Sequence, residues 1–196
     1  MSMKNRNEDG FTGLEAAIVL IAFVVVAAVF SYVVLGAGFF TTQKSQQVVH
    51  AGVTQAASNI VVKGEVYGLN STANPANISQ IRFDIGLAAG GLPVDIDKLA
   101  IVMSTGANVA TLGQENSGSF SATAPGQGNW TVVSRNGASS NLLQSDQIFT
   151  IMVTPPNSQP LVPRTVFNIE LKPEQGASLG IMRTIPAGLN QVNLLY

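Results

Sequence analysis

Two patterns of hydrophobic and polar positions divide the chain. From Ala16 to Gln43 no side chain ionises except the phenol of Tyr32, and Ile, Val, Leu, Ala and Phe fill most of the stretch. About 20 apolar residues at roughly 1.5 Å rise cross a bilayer core, so the run predicts a helix of membrane length. Beyond Gly38 the helical pattern continues with a changed composition. Val48, Val49, Val53, Ala56, Ala57, Ile60 and Val61 recur at three- and four-residue spacing, while Gln43, Lys44, Gln46, Gln47 and Gln55 occupy other faces. The predicted helix runs over residues 11–62, on the order of 75 Å long, with Gly36 and Gly38 as its weak point. One small domain cannot cover a helix of that length.

After Lys63 the period changes. Ile81, Phe83 and Ile85 alternate with Gln80, Arg82 and Asp84; Phe149, Ile151 and Val153 repeat the pattern, as do Phe167, Ile169 and Leu171. Between such runs lie turn-rich stretches, among them "YGLNSTANPAN", "AAGGLP", "ENSGSFSATAPGQGN", "RNGASSN", "PPNSQP" and "KPEQG". Eight or so short strands over residues 63–196 predict an antiparallel, Ig-like β-sandwich, and the chain as a whole an α+β protein.

Charge narrows the chemistry. Charged residues make up only 11% of the 196, against about 25% in a typical soluble domain. A net charge of -1 leaves no basic footprint for nucleic acid. Lys4 and Arg6 precede the apolar run, which implies an N-terminus inside the cell and a C-terminus outside. An ordinary secretory signal would carry a shorter apolar core. There is no cysteine, no phosphate-binding loop pattern and no clustered His and acid, so the sequence predicts no enzyme, no cofactor and no metal. His50, the single histidine, lies beside valines in the predicted helix, where a packed or interfacial imidazole is expected rather than a catalyst. Asp95 and Asp97 form a D-x-D pair without a third acid nearby in sequence, and Ca²⁺ usually needs six or more oxygens, so a solvated edge is the expectation.

Glu15 is the one charge at the head of the apolar run. Thr12, Gly13, Leu14 and Glu15 fit an S/T-x-x-E capping box, in which Thr12 caps the helix and Glu15 reaches back to the Thr12 amide. Small residues among the large ones, including Ala16, Ala27, Ser31 and Gly36, permit close approach of another helix. Three sequons, at Asn70, Asn77 and Asn129, offer candidate glycosylation sites.

The Gly10-Phe11 junction, with Glu15 five residues after the glycine and a hydrophobic helix following, resembles the class III signal peptides of type IV pilins and their archaeal relatives. "GFTGLEAAIVLIAFVVVAAVFSYVVLGAGFFTTQKSQ" is similar to the N-terminal helix of archaeal flagellins, or archaellins, and "FNIELKPEQGASLGIMRTIP" to their C-terminal end. The residues before Gly10 are acidic, Glu8 and Asp9, where that family is often basic. The resemblance implies a leader of residues 1–10, cut off after Gly10 on the cytoplasmic side by a prepilin-type peptidase, with the helix retained. It further implies an assembly ATPase, a membrane platform, residence in the membrane before assembly, and an extracellular homopolymer bundled through the helices for swimming. Cleavage would create an α-amino group on Phe11 a turn or so from Glu15, and in a water-poor helix core each would need the other, in its own chain or a neighbour. Phe11, Thr12 and Glu15 are the expected assembly residues. The competing expectations are a type IV-like adhesive pilin and a single-pass, membrane-anchored Ig-like surface protein.

Overall fold

The computed structural model describes residues 6–57, 59–71, 74–106, 108–117 and 119–196, with the side chains of 6–12, 56, 57, 71, 74 and 75 outside the description. The chain forms two compact units, Met1–Ala51 and Gly52–Tyr196.

The first unit is carried by one element, the helix α1 (Arg6–Ala57). Its valine runs are poor helix formers in water, because β-branched side chains lose rotamers against the preceding turn. In an apolar surrounding the balance reverses, since a helix satisfies its backbone hydrogen bonds within itself. Gly36 and Gly38 do not interrupt it. Four residues later the hydroxyls of Thr41 and Thr42 fold back onto the carbonyls of Ala37 and Gly38, at 2.8 and 2.9 Å, which hides two polar groups at the end of the apolar run.

The helix begins before Gly10, at Arg6. Thr12 therefore sits inside the helical backbone rather than at its start, and its side chain, with the capping box expected of it, lies outside the described residues. At the other end the helix stops at Ala57, and Ile60–Val62 is a strand, β1, where the sequence pattern placed helix. Three consecutive β-branched residues suit a strand, and they find a partner in β3 (Asn74–Leu87), with Ile60 opposite Leu87 and Val62 opposite Ile85.

The second unit is a β domain. Its further strands are β2 (Val66–Ser71), β4 (Val94–Asp95), β5 (Ala100–Thr105), β6 (Val109–Gln114), β7 (Asn129–Asn136), β8 (Leu142–Leu143), β9 (Ile148–Val153), β10 (Val166–Lys172), β11 (Leu179–Thr184) and β12 (Val192–Leu195). The main sheet runs β11-β10-β5-β6-β7-β9-β3-β2-β12, with β1 also on β3, and β4 pairs with β8 apart from it. Every pairing is antiparallel except β6 with β7, which is parallel through Gly113 opposite Asn129. Alternation along a strand does not encode the direction of its neighbour, so that one parallel seam was not readable from the pattern.

Burial follows the expected alternation. Ile81, Phe83 and Ile85 of β3, Phe149, Ile151 and Val153 of β9, and Phe167, Ile169 and Leu171 of β10 are all buried and share one core with Trp130, Ile101 and Met103. Because side chains from both ends of the strand path enter that single core, the sheet folds over on itself. Its two terminal strands meet where the Thr184 N–H donates to the Tyr196 carbonyl at 2.7 Å, which shields part of an otherwise open edge. The stretch "YGLNSTANPAN" is mostly strand, belonging to β2 and β3, with register shifts on either side of Asn70. Chain entry into the domain is also pinned: the Gln55 amide donates to the Gly176 carbonyl at 3.0 Å, and Asn59 bridges Ala177. Gly176 occupies that turn with φ 105, a backbone state open to glycine.

Candidate assembly surface

Along α1 the usual inside-out rule fails. From Leu14 to Phe40 its large apolar side chains are exposed on every face, from 52% at Val34 to 81% at Tyr32. By length and composition Gly13–Gln55 also qualifies as a membrane-spanning helix. In the β domain, by contrast, exposed apolar groups are a minority, with Tyr67, Val192 and Leu194 together on the paired strands β2 and β12. Twenty large side chains on α1 are more than half exposed. At about 1.5–3 kcal/mol for each complete burial, covering the exposed portions would release roughly 20–40 kcal/mol gross, before ordering costs. Such a surface is stable only in lipid or against other helices.

Glu15 stands exposed on this surface, in a shallow notch with Ala16, Val19, Leu20 and Phe23. Gly10, Phe11 and Thr12 belong to the same helix, and their side chains lie outside the described residues. His50 is likewise exposed on α1.

The D-x-D pair is half-buried and hydrogen-bonded rather than fully solvated. Asp95 caps a short 3-10 turn, Ile96–Lys98, by accepting from the Asp97 N–H at 3.1 Å. Asp97 accepts from the Asn141 amide at 2.6 Å and the Gln114 amide at 3.1 Å, joining three separate segments. Lys98 lies beside the pair and bonds Glu174 at 2.8 Å. The hydrogen bond and charge of Glu174 raise the Lys98 pKa above its usual 10.5. The carboxylates are thus occupied by amide donors with a resident cation nearby, and no group of three metal-ligating side chains occurs among the described residues.

The three sequons differ in geometry. Asn129 donates through its amide nitrogen to Glu115 at 3.2 Å, while Trp130 and Thr131 after it are buried. The nitrogen that would carry a sugar is already engaged, and the Thr131 hydroxyl is shut inside. Asn70 and Asn77 are half-buried on adjacent strands β2 and β3, Asn70 opposite Ile78. Sequence reasoning passed over Thr41 and Thr42, which only their i−4 spacing from Ala37 and Gly38 could have signalled, and it read Gln55 only as part of a polar face.

A long helix apolar on all sides, joined to a folded β domain with its own core, defines a subunit built to polymerise through its helix. The family model for archaeal-type flagellin matches residues 10–183. Probable flagellin 1 of Archaeoglobus fulgidus is 41% identical over 196 residues, covering 97% of this chain and 96% of that protein. The archaeal flagellum of Methanospirillum hungatei strain JF1 is similar in structure, with a TM-score of 0.73 and 34% identity over 94% of this chain and 99% of that one. The crystal structure of flagellin FlaB1 from Methanocaldococcus jannaschii shares the fold, with a TM-score of 0.56 at 17% identity over 71% of this chain and 97% of that one. The chain belongs to the archaeal-type flagellin family and is a structural subunit of the archaeal flagellum filament.

Proposed function

We propose that copies of this chain, cut after Gly10, leave the membrane and bundle their α1 helices into the core of a filament that turns as a swimming propeller, with the β domains as its shell. The observation that carries this reading is the exposure of α1 on every face. A lone membrane anchor would meet lipid only, and would not need the helix continued beyond its apolar run to Ala57 with Val48, Val49 and Val53 exposed. The working division is a leader of residues 1–10, a core helix from Phe11 to Ala57, and an outer domain from there to Tyr196.

Within the bundle Glu15 is the residue that sets register. An unpaired carboxylate among packed apolar helices costs several kcal/mol, and the new Phe11 amine is the cation nearest in sequence. Pairing between them, within one copy or across two, fixes how far one helix slides along the next. In this reading a prepilin-type peptidase removes the leader, and an assembly ATPase and a membrane platform drive extrusion. Asn70 and Asn77 are the sites for glycosylation on the shell.

The test is the N-terminal mass of the protein recovered from sheared cell-surface filaments. A chain beginning at Phe11 is expected. A chain beginning at Met1 or Ser2, or recovery only from the membrane fraction, overturns the proposal.

A further inference from the structure

One cleft of the β domain, about 340 Å³, is lined by Asn77, Ile78, Pro155, Pro156, Gln159 and Leu161 among others. No charged side chain lines it among the described residues. A neutral ligand is therefore favoured over an ion or a charged peptide. Proline rings restrict the backbone of one side, so the cleft is formed in advance of any occupant. The Ile78 N–H donates to the Leu161 carbonyl at 2.9 Å, which ties the middle residue of the Asn77 sequon to the loop that borders the cleft.

Gln159 is the anomaly of that loop. It is 2% exposed, and neither its amide oxygen nor its amide nitrogen has a hydrogen-bond partner. An unpaired buried amide is costly. Rotation about its side-chain bonds toward the cleft would relieve that cost if an acceptor and a donor waited there together. Neighbouring hydroxyls of a sugar, or an acetamido group, present such a pair, and the C–H face of a sugar ring suits the accessible rings of Pro156 and Pro160.

We propose that the cleft is a docking site for carbohydrate, and that its occupant is the glycan carried by Asn77, held by the Gln159 amide against the Pro155–Leu161 loop. The proposal rests on the reading of Asn77 as a glycosylation site. Attachment at the rim makes docking intramolecular, so that a weak intrinsic affinity for sugar suffices. Docking turns the glycan from a free surface chain into a brace for the loop.

The test uses filaments from cells making the full chain, as wild type or with Ser79→Ala, Asn77→Gln or Gln159→Met. Glycopeptide masses report occupancy of Asn77, and hydrogen exchange reports the amides of Asn157, Ser158, Gln159 and Leu161. Occupied wild type is expected to exchange these amides about tenfold more slowly than either sequon variant, the equivalent of one to two ordinary hydrogen bonds. Gln159→Met should keep the sugar and lose most of the protection. An Asn77 peptide without sugar overturns both the docking and the glycosylation on which it rests. Sugar present, with exchange unchanged in Ser79→Ala and Asn77→Gln, overturns docking alone. Protection that vanishes whenever filaments are dissociated, with the sugar intact, assigns the cleft to a neighbouring copy instead.

Discussion

Phe30 and Phe149 offer a crossed test of where this chain keeps its two kinds of stability. Phe149, in β9, is fully buried in the β-domain core, whereas Phe30, on α1, is 69% exposed. Truncation of a buried Phe to Ala costs about 3–5 kcal/mol. At about 2–4 °C per kcal/mol for a domain of this size, Phe149→Ala should lower the midpoint of β-domain unfolding by roughly 6–20 °C. Phe30→Ala touches nothing in that core and should change the midpoint by no more than about 2 °C. In the filament the effects change places. With the exposed two-thirds of its ring buried by neighbours, loss of Phe30 should cost about 2–3 kcal/mol per subunit, scaled from the same truncation range. That raises the subunit concentration in equilibrium with filament roughly 30- to 150-fold. Sedimentation of sheared filaments across a denaturant series measures the second quantity, and thermal scans of dissociated subunits measure the first. Filaments unaffected by Phe30→Ala, or a β domain destabilised by it, would refute the assignment of α1 to the polymer core.

Other consequences follow from the site geometry. Glu15→Ala should reduce filament yield several-fold while leaving the β-domain midpoint unchanged; normal yield counts against a register role for the carboxylate. Asp97→Ala removes the acceptor shared by Gln114 and Asn141 and should cost about 2–4 kcal/mol of β-domain stability, read by denaturant midpoints, whereas a neutral result would mean the pair is solvated after all. The Asn129 peptide should appear at its unmodified mass even where Asn77 carries sugar. Lys98, whose pKa Glu174 raises, contributes fully below pH 10.5 and loses that contribution as pH climbs through its folded value. Because both partners are half exposed, Lys98→Met should leave the neutral-pH midpoint almost unchanged and flatten the alkaline loss; a drop of several degrees at pH 7 would show the pair to be structural.

The sequence disclosed most where a single local rule decides the outcome. Alternation at Ile81, Phe83 and Ile85, or at Phe167, Ile169 and Leu171, reads directly as a buried strand face because side chains on a strand point to opposite sides in turn. The apolar run from Ala16 reads as a helix open to lipid or neighbours for an equally local reason. Ile60–Val62 misled because apolar residues at three- and four-residue spacing from Val53 fit a helix, while their β-branched character and the waiting edge of β3 fit a strand; the tertiary partner decided. Asp97 was illegible for another reason. Its donors, Gln114 and Asn141, lie 17 and 44 residues away, and no spacing rule connects amides to a carboxylate across such separations. Gln159 gave no signal at all, since an unpaired amide is visible only once its surroundings are folded.

The two units obey opposite rules because different surroundings suit them. The β domain sorts apolar from polar as any water-soluble fold must, and its stability is complete within one chain. For α1, water is never the right solvent. In lipid, helix association draws little on the hydrophobic effect, because hydrocarbon tails are as apolar as valine; the same faces become strongly adhesive once lipid is withdrawn. A polar stripe along residues 16–40 would weaken both states, whereas a segment apolar all round suits either. Thr41 and Thr42 fit this logic, bonding their hydroxyls to their own backbone so that neither lipid nor a neighbouring helix need satisfy them. In the proposed bundle Glu15 would be the exception that sets register, since a surface of uniform valine, leucine and phenylalanine would pack almost equally well at several axial offsets.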